Sequence, residues 1–229
     1  MNNNLNYWIP EQEYISIFRR KILKWYDKHG RNYPWRTTRD HFRVLIAEIM
    51  LRRTKADQIR PVYEKVFKKY PDVKALSKAK SKDLAKILYP LGLKWRIPVF
   101  KLIAIELMKH YKGKIPKNRN ELKTLSGIGD YVAGAVLSIA FNKKEWIIDS
   151  NIVRVFKRYF GVKTSKEGRR DKHLIEIAKM YIKCRNPKKT NLALLDFASL
   201  VCKPREPEHA ICPLADACSY FNPTTDIPG

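Results

Sequence analysis

The stretch that decides the fold runs Leu125-Ser126-Gly127-Ile128-Gly129-Asp130-Tyr131-Val132-Ala133-Gly134-Ala135-Val136. A short helical segment, Asn118 to Leu125, meets a tight Gly-Ile-Gly turn. A second helix follows, with Val132, Ala135, Val136 and Ile139 on its inner face. The glycines let the chain bend sharply and bring its backbone close to something bulky. The N–H groups that open the second helix have no intrahelical partner, which makes them an anion site. An ordinary αα-hairpin whose turn needs glycine has the same pattern, so the stretch by itself leaves both readings open.

Composition names the anion. The chain has 229 residues with 47 Lys and Arg against 22 Asp and Glu, a formal net charge of +25. Its 45% hydrophobic content suits a packed core and excludes a disordered basic tail. A surface this basic suits a polyanion, nucleic acid first, because neutralising phosphates releases their counterions. Solubility alone, or a thermophile's Lys- and Ile-rich composition, are the plainer explanations. No apolar run approaches the ~18 residues of a membrane span, and the polar start Met1 to Asn6 has no signal-peptide core. The expectation is a monomer with no membrane, cytoplasmic and associated with the nucleoid of a prokaryotic or archaeal cell. Paired disulfides are not expected there.

Outward from the hairpin the apolar period is helical. Stripes run through Ile15, Phe18, Ile22 and Trp25, and through Ile97, Phe100, Ile103, Ala104, Leu107 and Met108. Two more run through Leu174, Ile177, Ala178 and Tyr181, and through Leu194, Phe197, Ala198 and Val201. Gly and Pro breakers separate them, and alternating strands are absent. The fold class is therefore all-α, with about nine or ten helices by stripes and breakers. The pattern itself marks no domain boundary.

Three acids stand out. Asp149, in Trp146-Ile147-Ile148-Asp149-Ser150-Asn151, follows an apolar run and opens a helix, so it reads as an N-cap. A carboxylate held that way also suits N-glycosidic bond cleavage, which builds positive charge on the sugar. Glu48 lies in Val44-Leu45-Ile46-Ala47-Glu48-Ile49-Met50-Leu51-Arg52-Arg53-Thr54, a helix apolar on every side. It is either paired with a buried base or lines a pocket as proton donor or acceptor. Asp196, in Leu194-Leu195-Asp196-Phe197-Ala198, shows the same pattern and reads as structural.

Together these stretches resemble the helix-hairpin-helix glycosylase superfamily, which includes endonuclease III and the adenine and archaeal thymine mismatch glycosylases. The likeness runs from about Ile17 to Cys218. Its other marks are Trp25-Tyr26-Asp27-Lys28-His29-Gly30-Arg31, Pro34-Trp35-Arg36, Ala47-Glu48-Ile49-Met50-Leu51 and Leu91-Gly92-Leu93. The resemblance implies a two-lobed helical fold, one lobe from residue 37 to 144, the other from 1–36 with 145–229. The cleft between them would take a nucleotide flipped from double-stranded DNA that carries a mismatched base. It makes Asp149 essential, gives Gly127 and Gly129 the backbone phosphate, and places a monovalent cation at the hairpin. It sets Arg52 and Arg53 near the orphaned guanine, whose paired acceptors suit a guanidinium. Phosphate binding alone is their plainer role. Leu93 falls where a wedge enters the base stack, or is simple packing, and Asn151 is expected at the DNA.

Position 131 separates the members. Strand-cutting relatives carry a lysine there, which forms a Schiff base with the sugar. This chain has Tyr131, which cannot, and Asp149 follows 18 positions later, matching the family's spacing. The expected enzyme is a monofunctional glycosylase that removes thymine or uracil opposite guanine, with Asp149, Glu48 and Tyr131 at its site. Leu51-Arg52-Arg53-Thr54 in place of Leu-Gln-Gln-Thr, and an end soon after Cys218, speak against adenine as the target. The alternatives are an adenine-mismatch or damaged-pyrimidine glycosylase, or a DNA-binding module that has lost its chemistry.

Members of this family often end on four cysteines spaced by six, two and five residues, holding a [4Fe–4S] cluster. Here Cys202, His209, Cys212 and Cys218 keep that spacing with histidine second. Three thiolates and an imidazole fit the cluster, structural zinc on the same groups, or an empty site. Cys184 reads as core.

Overall fold

The computed structural model describes residues 9–92, 96–165 and 168–222. Among them run twelve α-helices: α1 (Gln12–His29), α2 (Pro34–Thr37), α3 (His41–Met50), α4 (Ala56–Lys69), α5 (Val73–Ser77), α6 (Ser81–Leu88), α7 (Ile97–Tyr111), α8 (Arg119–Thr124), α9 (Asp130–Phe141), α10 (Ser150–Phe160), α11 (Lys172–Tyr181) and α12 (Pro187–Leu200). No strand occurs in the described residues. The expected nine or ten helices thus fall short. The surplus is explained by α2 and α5, of four and five residues, which are too short to show a helical period.

The chain divides into two compact units, residues 32–141 and residues 1–31 with 142–229. In the first, α3 packs on α9 and α5 on α7 around a core that includes Trp35, Leu45, Ile49, Phe100, Ile103 and Val136. The α7 stripe is buried at Phe100, Ile103, Ala104 and Leu107, but Met108 at its end is 38% exposed. It lies near the helix end, where Lys112 and Gly113 turn left-handed and close the last turn.

In the second unit α1 packs on α11 and α12, and α10 on α12. The stripe Ile15, Phe18, Ile22, Trp25 is buried, and Phe18 meets Phe156, Tyr159, Phe160 and Tyr181 in one aromatic cluster. Asp196, fully buried in α12, accepts from Arg31 through its backbone N–H (2.8 Å), Nε (2.8 Å) and Nη2 (2.6 Å). That acid is structural: it fixes the chain where it leaves α1. No described helix is long and apolar enough to cross a membrane.

Candidate active site, hairpin and cysteine pocket

Asp149 is the N-cap of α10, as its place after an apolar run implies. Its Oδ1 accepts from the N–H groups of Asn151 (2.9 Å) and Ile152 (2.8 Å), and its Oδ2 from Asn151 Nδ2 (2.8 Å). Arg154 Nη1 donates to Asn151 Oδ1 (2.9 Å) and thereby fixes that amide. Arg154 is held in turn by the carbonyls of Cys202 (3.0 Å) and Ala198 (2.8 Å). Asn151, expected at the DNA, thus has its side chain engaged between Asp149 and Arg154. The carboxylate is part-buried, locked in one orientation, and carries fixed dipoles on both oxygens.

Glu48 is 2% exposed on α3, and its Oε2 has no hydrogen-bond partner in the described residues. Burial pushes its carboxyl up to about 7, against a smaller opposing pull from Arg36. Near neutral pH this acid can therefore give or take a proton.

The hairpin is built as the glycines require. Asn118 caps α8 by accepting from the Glu121 N–H (2.8 Å), and the chain turns through Ser126 to Gly129 into α9. Gly127 has φ +74°, and a Cβ there would meet Val99 Cγ1 at 2.9 Å. Gly129 differs: a Cβ there would meet nothing within 4 Å. No contact within the described residues calls for a glycine at that point. Glu106 on α7 clamps the turn, accepting from the Ser126 N–H (2.8 Å) and Oγ (2.6 Å). Arg52 Nη1 donates to the Gly127 carbonyl from the other side (3.0 Å). A monovalent cation bound by turn carbonyls would share that oxygen with Arg52. Asp130, the first residue of α9, is bridged by Lys123 (2.8 Å), which partly offsets its charge at the helix start. Tyr131, half-buried, packs on the unit's core. Arg53 is exposed, and Leu93 lies outside the described residues.

Cys202, His209, Cys212 and Cys218 line one pocket of the other unit, with Val155, Arg158, Tyr159 and Leu214 among its walls. Two short turns, His209–Ile211 and Ala215–Ala217, each deliver a cysteine at their end. Burial pushes the Cys212 thiol up to about 11, and Cys218 and Cys202 nearby add to the shift. Arg158 donates to Cys202 Sγ (3.6 Å) and to the carbonyls of Lys203 (2.6 Å) and Pro204 (2.8 Å). The His209 ring lies 4.2 Å from that of Phe221. No three His, Cys, Asp or Glu side chains among the described residues converge closely enough for one metal ion. The four donors share the lining of that one pocket. Cys184 stays apart, its sulfur 3.2 Å from Thr190 Oγ1.

Residues 46–180, which contain Glu48, the hairpin and Asp149, match the HhH-GPD superfamily of base excision DNA repair proteins. The chain belongs to the HhH-GPD superfamily. As an HhH-GPD protein it is 36% identical over 210 residues to the thymine/uracil-DNA glycosylase of Methanothermobacter thermautotrophicus, covering 90% of this chain and 94% of the relative. It is likewise 36% identical to the thymine/uracil-DNA glycosylase of Pyrobaculum aerophilum, covering 93% and 95%. The solved structure of a thermostable thymine-DNA glycosylase superposes with a TM-score of 0.84 at 34% identity, covering 92% of this chain and 98% of that one.

Sequence reading missed four side chains that position the rest: Arg96, Glu106, Arg154 and Arg158. Apart from Arg154 on Asn151 and Arg96 on Leu91, their partners are distant in sequence, so they carry little local signal. Arg154 and Arg158 do share a face of α10 by their spacing of four, the one clue available beforehand.

Proposed function

We propose that this protein is a monofunctional DNA glycosylase that releases thymine or uracil mispaired with guanine from duplex DNA. The observation that carries the chemistry is Asp149, whose two carboxylate oxygens are held by two backbone N–H groups and one amide. As the bond from C1′ to N1 breaks, its electron pair leaves with the base and positive charge builds on the sugar. Asp149 stabilises that charge, and water then adds at C1′ and gives up a proton. The protonated fraction of Glu48 suits delivery of a proton to the departing pyrimidine. Tyr131 stands where strand-cutting enzymes need an amine, so the product keeps an intact strand. Pyrimidine specificity rests on the thymine and thymine/uracil glycosylase relatives.

Cys202, His209, Cys212 and Cys218 would hold a [4Fe–4S] cluster. The support is that all four line one pocket and keep the six, two and five spacing common to cluster-bearing members of the family. When bound, the cluster would staple the C-terminal loop by iron–thiolate bonds. Arg158 is placed to donate to the Cys202 sulfur and so stabilise its thiolate.

The test is a panel of mismatched and damaged duplexes assayed with and without alkaline cleavage. Free thymine or uracil from duplexes with guanine opposite, strand breaks only after alkali, and turnover lost in Asp149→Asn are expected. A borohydride-trapped covalent adduct, or preferential release of adenine, would overturn the reading.

A further inference from the structure

Arg96 precedes α7 and is 3% exposed, and no carboxylate of the described residues pairs with it. Burial, then the neighbouring charges of Arg52 and Arg53, disfavour its charged form. Backbone oxygens answer that cost. Nη1 donates to the carbonyls of Ile49 (3.3 Å) and Met50 (3.5 Å), the last turn of the helix that carries Glu48, and to that of Arg52. Nη2 donates to Thr54 Oγ1 (3.0 Å) and to the Leu91 carbonyl (3.5 Å). The negative end of the α3 dipole adds to the attraction.

Two of these acceptors, Arg52 O and Thr54 Oγ1, flank Arg53. Arg53 is exposed and has φ 61°, a left-handed backbone that is strained for a residue with a Cβ. Such an outlier persists only where its surroundings over-determine it. The buried guanidinium does so by gripping the chain on both sides. The loop is also tied to the hairpin turn, since Arg52 Nη1 donates to Gly127 O.

We propose that Arg96 is a positioning residue that acts through Arg53, fixing the left-handed backbone from which that exposed guanidinium reads guanine opposite the excised base. The inference rests on the reading of this protein as a mismatch glycosylase. The chemistry of recognition is a planar fork of donors meeting the O6 and N7 acceptors of guanine. A lysine at position 96 would keep the charge but not the geometry, because a single ammonium has three donors where five acceptors now converge.

The test reads binding rather than turnover. The affinity of the full chain is measured for duplexes with a stable tetrahydrofuran abasic analogue opposite guanine or opposite adenine. The wild-type protein is expected to prefer guanine by about fivefold or more, the lower range for one bidentate arginine contact. Arg96→Lys should reduce that ratio to about one while binding to fully paired duplex holds within about twofold. Thr54→Val, which removes one acceptor only, should narrow the ratio and serves if Arg96→Lys does not fold. In an Arg53→Ala background neither change should move the ratio further. A merely structural role would lower the melting temperature and weaken both duplexes in parallel, leaving the ratio intact. That outcome, or a wild-type protein without preference, overturns the proposal. Absence of base release with the binding preference present and lost in the variants would sink the glycosylase reading alone.

Discussion

Glu48 shows what one residue reveals and withholds. Its isolation in an apolar helix was legible in the sequence, and so was the dilemma of partner or pocket. The structure answers that the side chain is buried, one oxygen has no hydrogen-bond partner among the described residues, and the carboxyl is raised to about 7 by burial. The folded state therefore holds this proton more tightly than the unfolded chain, so Glu48 subtracts stability as pH rises from its ordinary value of 4.5 to about 7. Glu48→Gln is expected to stabilise the protein by up to about 3 kcal/mol near pH 8, with almost no gain near pH 4, while base release falls. Urea titrations at the two pH values check it; an equal gain at both would show that ionisation is not the cause. Asp196 has the same sequence pattern and the opposite solution, a guanidinium and a backbone N–H on its two oxygens. Nothing local distinguishes these two acids, because the difference is Arg31, which is remote in sequence from Asp196.

At the scale of elements, the hairpin was the clearest feature of the chain and survives intact: a capped α8, a glycine turn and α9. Its two glycines prove to be different in kind. Gly127 is required by its own backbone, with φ +74° and Val99 packed behind it, so Gly127→Ala should cost about 1–2 kcal/mol in stability. Gly129 meets neither demand, and Gly129→Ala should leave stability within about 0.5 kcal/mol. If the hairpin grips a phosphate as proposed, affinity for duplex DNA should nevertheless fall, because the new Cβ would take up part of that open space. Thermal melts paired with duplex titrations separate the effects, and unchanged binding in Gly129→Ala would remove the hairpin from the DNA interface. The stripes were read correctly for α1, α11 and α12 because burial repeats at the helical period. The short helices α2 and α5 complete fewer than two turns and left no repeat to read.

At the scale of the whole molecule, the charge of +25 governs encounter with DNA. Affinity for undamaged duplex should fall steeply with salt, with a log–log slope of about −0.9 per phosphate neutralised. A slope shallower than about −2 would mean that the basic surface is solvation and little more. The cysteine pocket should hold iron and acid-labile sulfide in protein purified without oxygen, and Cys202→Ser should lower both together; zinc at one equivalent instead would replace the cluster assignment. Charge, helical class, the hairpin, the cysteine ladder and the N-capping of Asp149 were all fixed by the sequence itself, because each depends on composition or on residues within a few positions. What only the tertiary structure decided was which side chains hold the functional ones. Arg96 around Arg53, Glu106 on the hairpin, Arg154 at the Cys202 carbonyl and Arg158 at the Cys202 sulfur join residues up to 48 positions apart. Such pairings are chosen by packing, since a buried charge settles where the folded chain happens to gather its acceptors.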